Sequence, residues 1–178
     1  MVLTDIKTDI SAVAYGMPST KLRRLVEQSL ERFAIDTHAF TAPATGYAVK
    51  GVPEVEVELN DARGKVIAIS EVKIADQSIS EDRFMFWGGQ MRMREPDIEG
   101  LMTCEAAYIP EITEQLPDDF RQALTDLAME AVLMTVGGNW FNPQLAQFHR
   151  MNYNTERTRI RAELFMQSDA RNFKSALI

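Results

Sequence analysis

Residues 116–167 read LPDDFRQALTDLAMEAVLMTVGGNWFNPQLAQFHRMNYNTERTRIRAELFMQ, and the parsing of this stretch decides the fold. It parses as two helices joined by an elbow, Gly137-Gly138-Asn139-Trp140-Phe141-Asn142-Pro143. Pro117 stands just ahead of Asp118-Asp119, whose carboxylates suit a helix cap or first turn, where backbone N–H groups lack partners. Phe120, Leu124, Leu127, Ala128, Ala131 and Leu133-Met134 recur at the spacing that keeps one stripe apolar. Gly137-Gly138 is a stop signal, because glycine takes the left-handed conformation that closes a helix end. Asn142 then serves as N-cap and Pro143 fits the first turn, where its missing N–H costs nothing. The second helix carries Leu145, Phe148, Met151 or Asn152, Ile160 and Leu164 on its apolar side. Arg150, Glu156, Arg157, Arg159, Arg161 and Glu163 stud the rest. A helix that polar is not buried all round, so it needs neighbours.

Upstream, Pro18-Ser19-Thr20 opens another amphipathic helix, with Leu22, Leu25, Val26, Ser29, Leu30, Phe33 and Ala34 on one face. It ends between Ala34 and His38. Residues 1–16 show no sustained period and are read as an ordered arm or a loose tail. Ala42-Pro43 breaks the helical pattern, and from Thr45 to Pro110 the period becomes that of strands. Val55, Val57 and Leu59 alternate with Glu54, Glu56 and Glu58, as in a strand with one wet face. Asn60-Asp61-Ala62-Arg63-Gly64 is turn chemistry, so Val66–Ile69 is expected to return as the hairpin partner. Phe84–Trp87 and Met91–Arg94 flank Gly88-Gly89 as a second hairpin, and Leu101–Ile109 gives the last strand before Pro110.

The predicted fold class is therefore α+β: an antiparallel helical bundle with an inserted β-strand lobe. The bundle comprises an N-terminal helix (17–38) and a C-terminal helical hairpin (116–167). The lobe occupies 45–110 and a weakly structured C-terminal tail 168–178, within one domain spanning 1–178.

Composition narrows the functions. At 178 residues and 46% hydrophobic the chain can bury one proper core. Its 19 basic against 26 acidic residues give a formal net charge of −7, which argues against a uniformly basic DNA-binding surface. The single cysteine, Cys104, cannot form an internal disulfide, which fits a reducing cytoplasm. No run of apolar residues is long enough to span a bilayer, and Asp5, Lys7 and Asp9 make the N-terminus unlike a signal peptide.

A search for convergent reactive groups returns little. His38 and His149 are the only histidines, and neither has a partner at metal-ligand spacing. His149 reads as a solvated or interface residue, and Cys104 as a small buried side chain. Gly88-Gly89 and Gly137-Gly138 lack the strand–loop–helix fingerprint of a phosphate cradle. Asp119, Asp126 and Glu130 share one helix face and could feed a divalent cation in a metal-dependent hydrolase, although an exposed acidic stripe is the ordinary explanation. No catalytic residue and no cofactor site is assigned. Trp87 and Trp140 place large rings in or beside turns, where they are core caps or anchors for another chain. The anchor role defines an alternative function: a small soluble protein-binding module. Arg150, Arg157 and Arg161 oppose a chain that is acidic elsewhere, and complementary signs on opposite flanks favour head-to-tail association.

The helix Ser19–Ala34 running into Asp36-Thr37-His38-Ala39-Phe40 resembles the opening of phage virion adaptor proteins. Leu116-Pro117-Asp118-Asp119-Phe120, the helix after it, then Asn139-Trp140-Phe141-Asn142-Pro143 and a charged helix are similar to the C-terminal half of the tail tubular protein A group. These are head-to-tail connectors of short-tailed bacteriophages, and the resemblance covers roughly residues 17–167. It implies a non-enzymatic virion protein at the portal–tail junction, forming a homo-oligomeric ring, typically a dodecamer. The ring binds the portal protein above and the tail nozzle or tube below, and extends a channel that DNA crosses without specific binding. No membrane and no cofactor is implied. Phe173, Leu177 and Ile178 in the tail become candidate portal contacts. Trp87, Trp140, Arg150, Arg157 and Arg161 become candidate contacts to the neighbouring subunit or the tail.

Overall fold

The computed structural model describes residues 3–111 and 115–175, with side chains described for 5–111 and 115–166. The chain forms two compact units, one from residues 1–39 and 112–178, the other from Phe40–Glu111. The predicted bundle with an inserted lobe is corrected by the architecture. Among the described residues the fold is α+β with four α-helices and eight strands in two antiparallel sheets, one of them five-stranded. The strands are not a lobe appended to a bundle. They close on a core of their own.

The helical unit comprises α1 (Leu3–Ser11), α2 (Ser19–Thr37), α3 (Arg121–Leu133) and α4 (Pro143–Ser175), with a single 3-10 turn, Asp118–Phe120, ahead of α3. Of the segment read as an ordered arm or a loose tail, Leu3–Ser11 is helical, with Ile6 and Ile10 four apart and buried, and Ala14 and Met17 are buried in the turn that follows. Leu22, Val26, Leu30, Phe33 and Ala34 bury one face of α2, the face expected from its period. His38 ends α2 in the left-handed conformation, its N–H donating to Ala34 O at 2.8 Å. In α3 the buried set is Ala123, Leu124, Leu127, Ala128, Val132 and Leu133, with Asp126 among them. Each fully buried Leu, Ile or Phe is worth about 1.5–3 kcal/mol relative to leaving it in water.

Asn142 and Pro143 act as predicted, but α3 ends at Leu133 with Met134 in the right-handed region at its cap, so Gly137-Gly138 is not the helix stop expected of it. Gly137 has φ +110°, Asn142 Oδ1 accepts from Leu145 N at 3.1 Å as N-cap, and Pro143 opens α4. α4 runs to Ser175, across the start of the stretch read above as tail.

The strand unit holds β1 (Thr41–Ala48), β2 (Glu54–Glu56), β3 (Glu58–Leu59), β4 (Gly64–Ile74), β5 (Gln77–Ser78), β6 (Phe84–Trp87), β7 (Gln90–Met93) and β8 (Gly100–Pro110). One sheet has the order β3-β1-β8-β4-β5, the other β2-β7-β6. The expected hairpin of 55–59 with 66–69 does not form. β3 pairs β1, β4 pairs β8, and β1 and β8 pair with each other between them. The turn chemistry at 60–64 reverses the chain, but the long partners β1 and β8 take the ladder positions.

Pro43, read as a break, lies within β1. Its carbonyl accepts from Asn60 N, just past the end of β3. N–H and C=O of one residue point to the same side of a strand, so the absent donor costs no bond to β8. β4 shifts register twice against β8, and Glu71 takes φ 51° within the second shift. Gly88-Gly89 closes β6 onto β7 with φ of 63° and 86°, a two-residue hairpin as predicted, with Trp87 opposite Gln90. Val55, Val66, Val72, Ile74, Phe84, Met91, Met93 and Met102 from both sheets share one core. Gly46 lies so close to the Glu56 carbonyl that a Cβ there would collide with it.

Candidate functional site

α4 meets the rest of the helical unit through Ala146, Tyr153 and Ile160, all buried, with Leu164 half-buried on the same side. Tyr153 has no exposed surface, and its hydroxyl donates to Asp36 Oδ2 at 2.7 Å. Burial, and then the neighbouring Asp36 carboxylate, hold this phenol protonated well above the ordinary tyrosine range. Arg32 lies 5.7 Å from the Tyr153 ring centroid and 3.3 Å from Glu130 Oε2. Arg150 approaches Glu130 at 3.8 Å, and Arg157 approaches Asp36 at 3.8 Å. α2, α3 and α4 are thus cross-tied by a polar network around an aromatic anchor.

The three carboxylates weighed as a metal site play separate parts. Asp119 is exposed in the 3-10 turn. Asp126 is 1% exposed and is approached by His149 Nδ1 at 2.6 Å, while Gln122 Nε2 donates to its second oxygen at 2.9 Å. Glu130 is held by the two arginines. Among the described residues no group of three or more His, Cys, Asp or Glu side chains could hold a metal ion. His149, read as solvated or interfacial, is instead locked against α3. The missed signal is periodicity: Ala146, His149, Tyr153 and Ile160 trace one face of α4, so a polar residue on that face calls for a buried partner.

The predicted contact residues separate as clearly. Trp140 folds back over its own elbow, its ring packed where a Gly138 side chain would be and its Nε1 donating to Thr135 O at 2.9 Å. Arg150 and Arg157 are drawn into ion pairs within the unit, as above. Arg161 is exposed and has no ion pair among the described residues. Trp87, on the hairpin of the other unit, is 89% exposed. Leu177 and Ile178 lie outside the described residues, as does the side chain of Phe173.

The apolar stripe expected on α4 is only partly the buried one. Ile160 faces the core, but Leu145, Phe148 and Met151 are exposed. The helix has two faces. Phe148, Met151, Thr155, Thr158, Ala162 and Phe165 are all exposed, spaced alternately three and four residues apart on the side opposite Ala146, Tyr153 and Ile160. That alternation is the spacing of a helix-packing seam. Thr155 Oγ1 donates to Met151 O at 3.1 Å and Thr158 Oγ1 to Asn154 O at 2.9 Å. Both hydroxyls are therefore satisfied inside the helix, and the seam can lose its water without orphaning either. A groove of about 460 Å³ beside the seam is rimmed by Met134 and Met151, with Glu130 and Arg150 among its lining.

No protein-family model matches this chain, and no curated protein matches it. Among the described residues the helical unit combines an exposed apolar row on α4 with charged side chains paired between its helices.

Proposed function

We propose that this chain is a structural virion protein, the head-to-tail adaptor of a short-tailed phage, acting as one subunit of a ring between portal and tail. The observation that supports it most is the outward seam of α4. At about 1.5 Å per residue the 33 residues of α4 extend about 50 Å, against about 20 Å for the 13 residues of α3. Phe165 and Met166, past the last buried contact at Ile160, stand in solvent. A monomer gains nothing from such a surface, and exposed apolar stripes of this kind mark interaction sites.

The net charge of −7 agrees with a channel wall along which DNA slides without adhering. The polar network of Arg32, Asp36, Glu130 and Tyr153 keeps the helical unit rigid as copies meet. On this account the chain has no substrate. Its partners are the portal protein, the tail nozzle or tube, and copies of itself.

Co-sedimentation with tailless capsids that carry the cognate portal tests the proposal. The chain is expected to pellet with these capsids and to saturate at a fixed ring number per particle, and not to pellet with capsids lacking the portal. Failure to pellet with portal-bearing capsids would overturn it. If the chain instead binds a single partner one-to-one through Trp87, the binding-module alternative takes its place.

A further inference from the structure

Two outward surfaces remain without an occupant, and their chemistry is complementary. The first is the α4 seam, flanked by Arg159 and Arg161. Arg159 is held by Glu156 at 2.8 Å and Glu163 at 2.7 Å, which leaves Arg161 as the positive charge beside the apolar row without an ion pair among the described residues. The second is the outer face of the β2-β7-β6 sheet. Strand alternation buries Val55, Met91, Met93 and Phe84 on the inner face. It leaves Met85 and Trp87 outward, with Glu54 and Glu56 two strands away in the same rows. Trp87 is the most exposed large apolar side chain among the described residues. Glu54 reaches Arg92 only at 3.7 Å, and Glu56 has no ion pair among the described residues.

We propose that, in the ring inferred above and resting on that inference, the α4 seam of one copy docks on the outer β2-β7-β6 face of the next copy. Arg161 is then placed toward the Glu54–Glu56 edge, and Phe148 and Met151 pack on Met85 and Trp87. Charge selects this surface. The outward face of α2 is net positive, Lys21, Arg23 and Arg24 exceeding Glu27 and Glu31, whereas on the sheet face Glu54 and Glu56 outnumber Arg92 and leave a net negative charge. The chemistry of the core contact also fits, since methionine and aromatic rings attract each other through the polarisable sulfur.

The contact joins two different surfaces, so it propagates head to tail rather than stopping at a pair, and gives a ring when the rotation between copies closes. Its size explains why a template would be needed. Three strands about 4.8 Å apart, one of three residues and two of four, make a patch of at most about 14 by 13 Å, well under the about 800 Å² per partner of a stable complex. Such contacts gain effective concentration once several copies sit on one symmetric platform.

Disulfide trapping tests this. Trp87→Cys and Phe148→Cys chains, carrying tags of different mass, are mixed on tailless portal-bearing capsids under mild oxidation; both positions are exposed, and the native Cys104 is buried. The expected product is a mixed dimer, formed at least several-fold faster than by either chain alone, and a ladder of oligomers from a chain carrying both substitutions. Arg161→Glu should cut the mixed yield several-fold, and adding Glu56→Lys on the partner chain should restore it. Dimers of Phe148→Cys with itself in preference to the mixed product, or a mixed yield no higher than from exposed Tyr15→Cys chains, would overturn the proposed contact. If trapping fails while the wild-type chain still pellets with portal-bearing capsids, the contact is wrong and the adaptor function stands. If both fail, both fall.

Discussion

Replacing His149 by Leu removes the ring that approaches Asp126 Oδ1 at 2.6 Å and leaves a carboxylate of 1% exposure with only the Gln122 amide at 2.9 Å. Leaving one member of a buried hydrogen-bonded pair without its partner costs about 1–3 kcal/mol, and the near-complete burial of Asp126 sets the upper end, about 3 kcal/mol. Asp126→Leu should cost about 1–3 kcal/mol, because it orphans the Gln122 amide and one imidazole nitrogen. The double variant, Asp126→Leu with His149→Leu, exchanges the pair for apolar contact and should lie within about 1 kcal/mol of the parent. The coupling in this cycle is therefore several kcal/mol and favourable. Urea unfolding followed by Trp140 fluorescence, in a Trp87→Phe background, reads the helical unit alone. With a urea slope of about 2 kcal/mol/M, His149→Leu lowers the midpoint by about 1.5 M. A shift under about 0.5 M, or a double variant as damaged as the sum of the singles, would refute the claim that this pair locks α4 to α3.

Three further outcomes follow from single side chains. Tyr153→Phe deletes one hydroxyl and its bond to Asp36, and should cost about 1.5–3 kcal/mol, as expected for a hydrogen bond to a charged group; because burial raises this phenol, the ultraviolet titration of tyrosinate up to pH 11 should be the same with and without Tyr153 while the fold holds. Burial pushes the Cys104 thiol from an ordinary 9.0 up to about 11, so the stability contributed by its neutral form is whole below pH 9 and declines between about pH 9 and 11; alkylation at pH 8 should be at least tenfold slower in the folded chain than in urea, and equal rates would contradict it. Gly138→Ala drives a methyl group into the Trp140 ring, so the elbow should loosen by about 1–3 kcal/mol with a red-shifted Trp140 emission; an unchanged spectrum would count against the packing described.

What was legible in the sequence was what local chemistry decides. Asn142-Pro143 capped and opened α4, and Gly88-Gly89 closed a hairpin, because a few neighbouring residues fix those backbones. α1 was legible only in part, since Leu3, Ile6 and Ile10 keep helical spacing over a helix of nine residues and polar residues separate them. The pairing of β3 and β4 was not legible. Their turn is local, while the strands that separate them, β1 and β8, come from positions far along the chain. α4 misled for another reason. Periodicity finds apolar rows, and this helix has two, so hydrophobicity alone could not say which row faced inward. The aromatic ring of Tyr153, on the row with Ala146 and Ile160, decided it.

The account rests on the chain being one of many identical copies around a channel. An electron micrograph of the mature particle's portal vertex, with the chain carrying a density label at exposed Tyr15, tests this most directly. A closed ring of label between portal and tail, one per subunit, is the expected image. Label elsewhere in the virion, or none in the particle, would contradict it.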